Sequence, residues 1–136
     1  MEGEVLVATG WQDICTKFHR VHPKTRQYCI ESDTALSTGI TPGDHKLYKC
    51  KNNMWDMATP IVVGGRHVGN LFLGQFFFDD ETVDREAFRK QAEAYGFDEA
   101  AYLTALDLVP RWPREKVRTV FRFYTELATL ISQLSH

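Results

Sequence analysis

The stretch Tyr48–Asp80, YKCKNNMWDMATPIVVGGRHVGNLFLGQFFFDD, constrains the fold of this chain more than any other. Two apolar runs, Met57–Val63 and His67–Phe78, flank a Gly64–Gly65–Arg66 break. Runs rich in β-branched and aromatic residues around a Gly-Gly pair form a β-hairpin, because glycine supplies the positive φ that a two-residue turn needs. The second run is apolar at Val68, Leu71, Phe72, Leu73, Phe76, Phe77 and Phe78. A strand apolar on both faces is expected to be covered on both, which places it at the centre of the sheet. Asn70, Gly74 and Gln75 interrupt the pattern. Amides inside such a run need partners or a polar cavity, and they are the first pointer to a pocket.

Composition narrows the function classes. With 136 residues, 43% of them hydrophobic, the chain suits one compact domain, read here as spanning residues 1–136. A net charge of −2 gives no electrostatic footprint for nucleic acid or an anionic membrane. No apolar run approaches the ~20 residues of a membrane helix, and no secretory signal stands at Met1. Cys15, Cys29 and Cys50 are odd in number and do not look like a secreted disulfide framework. The expected compartment is the cytoplasm.

In chain order, Glu4–Ala8 is expected to be a strand and Thr9-Gly10 a turn. Gln12–Arg20 reads as a short helix ended by His22-Pro23, and Lys24–Ser37 as a second helix. Thr41-Pro42-Gly43-Asp44 is a loop by composition, and His45–Lys51 a strand. After the hairpin, Asp84 caps a helix over Arg85–Tyr95 that ends at Gly96, and Asp98 caps another through Leu108. Val109–Pro113 is read as a connection. Arg114–Leu134 is the longest helix, with an apolar stripe of Val117, Val120, Phe121, Tyr124, Leu127, Ala128, Ile131 and Leu134. This order is an α+β pattern: an antiparallel sheet, flanking helices and a long C-terminal helix.

At this point the residues themselves become specific. CKNNMWDMATPI from Cys50 and GRHVGNLFLGQFFF from Gly65 closely resemble the PocR-type sensory domain. WQDICTKFHR from Trp11 and CIESD from Cys29 match it too. The resemblance implies a PAS-like ligand-binding module of bacterial and archaeal sensor kinases and transcriptional regulators, with small hydrocarbon derivatives such as short diols as ligands. The family's usual first helix and strand would lie upstream of Glu4, so the chain is expected to be a piece of a longer protein, its sheet short of a strand or completed by a partner. Where the family commonly has Gly, this chain has Asn53, which tolerates a left-handed backbone better than other non-glycine residues.

Three constellations are candidates for chemistry. Cys15, Cys29 and Cys50, with His19 four residues after Cys15, are the residue types that hold zinc or an iron–sulfur cluster. They match no metal spacing, and the other reading is that the thiols are small buried hydrophobes or pocket lining. Trp55 and Asp56, with Tyr48 and Trp11, suit a small polar ligand: rings form walls and Asp accepts hydroxyl hydrogens. Against that, Asp56 serves a turn and Trp55 fills the core. On the third strand Asn70 and Gly74 share a face and Gln75 looks away, so all three line one cavity only if a bulge intervenes; Gln75 alone reads as a structural hydrogen-bonder. No nucleophile–base pair or acid–base dyad can be assembled. The expected function is therefore a non-catalytic sensor with no cofactor. Its ligand site is drawn from Trp11, Cys15, Cys29, Tyr48, Cys50, Trp55, Asp56, Asn70, Gly74 and Gln75. It is expected to form a homodimer through the C-terminal helix; a metal or redox sensor on the cysteines is the alternative.

Overall fold

The computed structural model describes residues 11–41 and 43–134. The expected strand Glu4–Ala8, the Thr9-Gly10 turn and Pro42 lie outside them. The first element is a π-helix, Ile14–His19, closed by the wide Arg20 N to Cys15 O bond of 2.8 Å. Helix α1, Pro23–Ser37, starts with proline at its first position and with the His22 ring accepting from the Lys24 amide. Strands β1 (Lys46–Lys49), β2 (Trp55–Val63) and β3 (Arg66–Phe78) form an antiparallel meander. Gly64 and Gly65 take φ of 57° and 77° at the hairpin turn. Asn53 takes φ 69°, so the turn survives without glycine.

Helices α2 (Arg85–Tyr95) and α3 (Glu99–Asp107) begin where the sequence places them. Asp84 accepts from the Ala87 amide, Asp98 accepts from the Ala101 amide, and Gly96 ends α2 at φ 71°. Helix α4 spans Arg114–Leu134. The fold is thus α+β with a long C-terminal helix. The sheet is mixed rather than antiparallel, because the stretch read as a connection contains strand β4, Arg111–Trp112, paired parallel to Phe77 and Phe78. Two residues between Pro110 and Pro113 carry no periodicity to read. Their place comes from the bonds of Phe77 N to Pro110 O and Asp79 N to Trp112 O, and from Trp112 stacking on Phe76 at 5.5 Å.

Strand alternation divides two cores between the faces of the sheet. Met57, Phe76 and Phe78 meet Val117 and Phe121 of α4. Phe77 points the other way, into Ile14, Met54, Phe88, Tyr102 and Leu106. The expectation that β3 is covered along both faces does not hold. Only its last three residues are buried; Val68 and Phe72 are 52% and 44% exposed. β4 reaches only the end of the strand, so apolar composition records what β3 can bury and not what lies beside it.

α4 also differs from the single stripe read in the sequence. Val117, Phe121 and Ala128 are buried and Ile131 is half-buried, so the sheet side extends further along the helix than ~5-residue strands would allow. A second seam, Val120, Phe123, Leu127, Leu130 and Leu134, runs at steps of 3, 4, 3 and 4. Phe123, Leu130 and Leu134 in it are 61%, 49% and 77% exposed.

Candidate functional site

The site grows from one irregularity in β3. Trp55 faces Phe76 while Asp56 faces Gly74, so Gln75 is an extra residue in the ladder. A regular strand would send Gln75 to the face opposite Gly74; the bulge returns it to the same side. There the Gln75 Nε2 donates to Asp56 Oδ2 at 3.0 Å, and its Oε1 accepts the Cys15 thiol at 2.9 Å. The Met57 amide donates to Asp56 Oδ1 at 3.1 Å. Gly74 makes the arrangement possible: a Cβ there would stand 2.2 Å from Asp56 Oδ1. Gly74 is itself exposed, so the buried carboxyl lies beside a solvent-facing backbone.

An ion pair stands one link away from this group, the Arg20 amide donating to the backbone oxygen of Cys15 at 2.8 Å. Arg20, just after the π-helix, donates through Nη2 to Asp33 of α1 at 3.0 Å, and its guanidinium lies 4.6 Å from the Trp11 ring centroid. The Arg20 Nε is buried with no hydrogen-bond partner among the described residues. Burial, then the Asp33 charge, push the Asp56 carboxyl up to about 7, against smaller opposing pulls from Gln75, the Met57 amide and Arg20. Burial also raises Asp33, against the pull of Arg20. Sequence reasoning missed both Arg20 and Asp33. The available signal was their position as the closing residues of the blocks WQDICTKFHR and CIESD.

The other expected residues divide. Tyr48 is the cross-strand neighbour of Asp56, half-buried on the same face. Cys29 accepts from Asn52 Nδ2 at 3.3 Å, a contact that ties the loop after β1 to α1 together with Asn52 Nδ2 to Thr25 O. Cys50 sits in the core beside Cys15. Trp55 lies on the opposite face, 5.4 Å from Phe78, with its Nε1 donating to Glu81. Asn70 is bonded to His67 on the outer half of β3. The structure thus brings Cys15, Asp56, Gly74 and Gln75 together, sets Trp11 against Arg20, and places Trp55 and Asn70 elsewhere.

Cys15 and His19 are both buried but serve different neighbours. His19 Nε2 lies 2.5 Å from the Tyr102 hydroxyl of α3, and burial lowers its imidazole to about 4. All three cysteines are free, and burial raises each thiol, Cys50 to about 11. Among the described residues no group of three or more His, Cys, Asp and Glu is arranged to hold a metal ion. A depression of about 310 Å³ beside α4, lined by residues including Gly43, Thr125 and Leu130, holds none of the polar constellation. No helix among the described residues is long and apolar enough to cross a membrane.

Hydrogen-bonding groups thus stand embedded in an apolar sheet, next to an exposed backbone at Gly74. The family model described as the sensory domain found in PocR matches residues 1–136, and the chain belongs to that family. It is a ligand-sensing signalling module. No curated protein matches the chain, and no solved structure does.

Proposed function

We propose that this domain binds a small hydrocarbon derivative carrying hydroxyl groups, such as a short alcohol or diol, beside Asp56 and Gln75, and that it is not an enzyme. The observation that carries the reading is the Cys15–Gln75–Asp56 chain of hydrogen bonds opening at exposed Gly74. A hydroxyl both donates and accepts, which matches a carboxyl and an amide set side by side. A thermal-shift screen of short alcohols and diols is the test. A ligand at 100-fold over its dissociation constant stabilises the fold by ~2.7 kcal/mol. The shift is expected to disappear in Gln75→Ala, whose own melting stays cooperative. A flat response across the series would sink the reading, and stoichiometric zinc or iron in protein purified without oxygen would replace it with the cysteine metal sensor.

The signal leaves through α4. Its inner face packs on the sheet that carries Asp56, and its outer seam has the 3-4 spacing that a second copy of the helix packs against. A ligand that fits two arrangements of the pair unequally shifts their balance toward the output domain of a sensor kinase or transcriptional regulator in the cytoplasm, where free thiols persist. Sedimentation is expected to show a dimer for the wild type and a monomer for Phe123→Lys with Leu130→Lys. Both residues are exposed, so the fold tolerates the change. Equal masses for the two proteins would remove α4 as the interface.

A further inference from the structure

We propose that Arg20 and Asp33 are specificity-determining residues of this ligand site, and that as a charge-balanced pair they restrict it to uncharged hydroxylated molecules, excluding the carboxylates of the same carbon skeleton. The inference rests on the ligand-binding reading above and concerns a part of the site that neither strand supplies.

The geometry is that of a closed electrostatic account. Arg20 donates to Asp33 at 3.0 Å, with side-chain exposures of 20% and 13%, and Trp11 covers the guanidinium at 4.6 Å. The charges of Arg20 and Asp33 sum to zero, and the pair is tied to the site by the Arg20 amide, which donates at 2.8 Å to the backbone oxygen of Cys15, the residue whose thiol bonds Gln75. A carboxylate entering here finds the Arg20 cation already paired with Asp33, beside a second carboxyl group. An ionised group without a partner in such a place costs several kcal/mol, whereas a neutral hydroxyl costs little when bonded. The buried Nε of Arg20, without a partner among the described residues, is a donor that a hydroxyl oxygen satisfies. The oxygens of Asp33 and Asp56 accept the hydroxyl hydrogen in return.

The test uses matched probes at pH 6: ethane-1,2-diol against glycolate and propane-1,2-diol against lactate, with binding read by calorimetry. In the wild type the acids are expected to bind roughly a hundredfold more weakly than the diols, about 2.7 kcal/mol. Asp33→Asn leaves Arg20 unbalanced, so lactate is expected to gain on propane-1,2-diol by roughly tenfold or more. The wild-type comparison stands whether or not that variant folds. An acid that binds the wild type as tightly as its diol overturns the charge rule while leaving the sensor reading intact. Unchanged selectivity in folded Asp33→Asn removes Arg20 and Asp33 as its source. Silence from all four probes overturns the rule together with the reading of a hydroxylated ligand.

Discussion

Asp56→Asn is expected to be more stable than the wild type at pH 8 by about 3 kcal/mol and less stable at pH 4 by about 0.5 kcal/mol. The buried carboxyl keeps its proton up to about pH 7, whereas an unfolded aspartate loses it near 3.8. A group whose pKa is raised by folding contributes fully below its unfolded value, and that contribution is lost as pH rises to the folded value. The span corresponds to about 4 kcal/mol, all of it removed in the neutral amide. Asn carries its own cost. Its NH₂ replaces an oxygen that accepts from Gln75 or from the Met57 amide, so a bond of about 1 kcal/mol is lost at every pH.

His19 acts in the opposite sense. Its pKa falls to about 4, so its stabilising contribution is present above its unfolded value near 6.5 and is lost as pH falls toward 4. In the wild type the two slopes offset one another between pH 4 and 6.5; Asp56→Asn removes the Asp56 slope and leaves that of the histidine. Urea unfolding of both proteins from pH 4 to 8 measures this directly. Parallel stability curves would show that Asp56 titrates in the fold much as it does in water.

Gly74→Ala should abolish ligand binding and cost about 1–3 kcal/mol, the price of leaving buried polar groups unpaired. The new Cβ would stand 2.2 Å from Asp56 Oδ1 and 2.7 Å from its Cγ. That carboxyl is no free end that swings aside, because Gln75 and the Met57 amide hold one oxygen each. Gly69→Ala on the same strand is the control. Its Cβ meets only Ile61 Cδ1 at 3.9 Å, so it is expected to be neutral or stabilising by up to about 1 kcal/mol. Chemical unfolding and diol binding of the two variants give the comparison. Equal behaviour would mean that the Asp56 carboxyl sits elsewhere than beside Gly74.

Much of the scaffold is legible in the sequence because its signals are local. Gly64-Gly65 between apolar runs sets the hairpin, Asp84, Gly96 and Asp98 bound α2 and α3, and a 3.6-residue repeat marks α4 from Arg114 to Leu134. Phe123 and Leu130 escaped that reading, since a repeat reveals that a helix has an apolar side but not which side meets the sheet. The exposure of Val68 and Phe72 escaped it for a related reason, because an apolar run does not record where its neighbouring strand ends.

The candidate site was half visible. Asp56, Gly74, Gln75 and Cys15 stand out as polar or small residues in apolar blocks, but whether they meet depends on a bulge between Trp55 and Asp56 in the β2–β3 register. Arg20 and Asp33 look in sequence like ordinary charges on helix surfaces. What the chain determines by itself is the set of contacts between residues a few positions apart, where backbone geometry leaves few choices. Only the tertiary structure decides the rest. Gln75 reaches Asp56 across 19 residues and Cys15 across 60, and those meetings are chosen by which faces must be buried together.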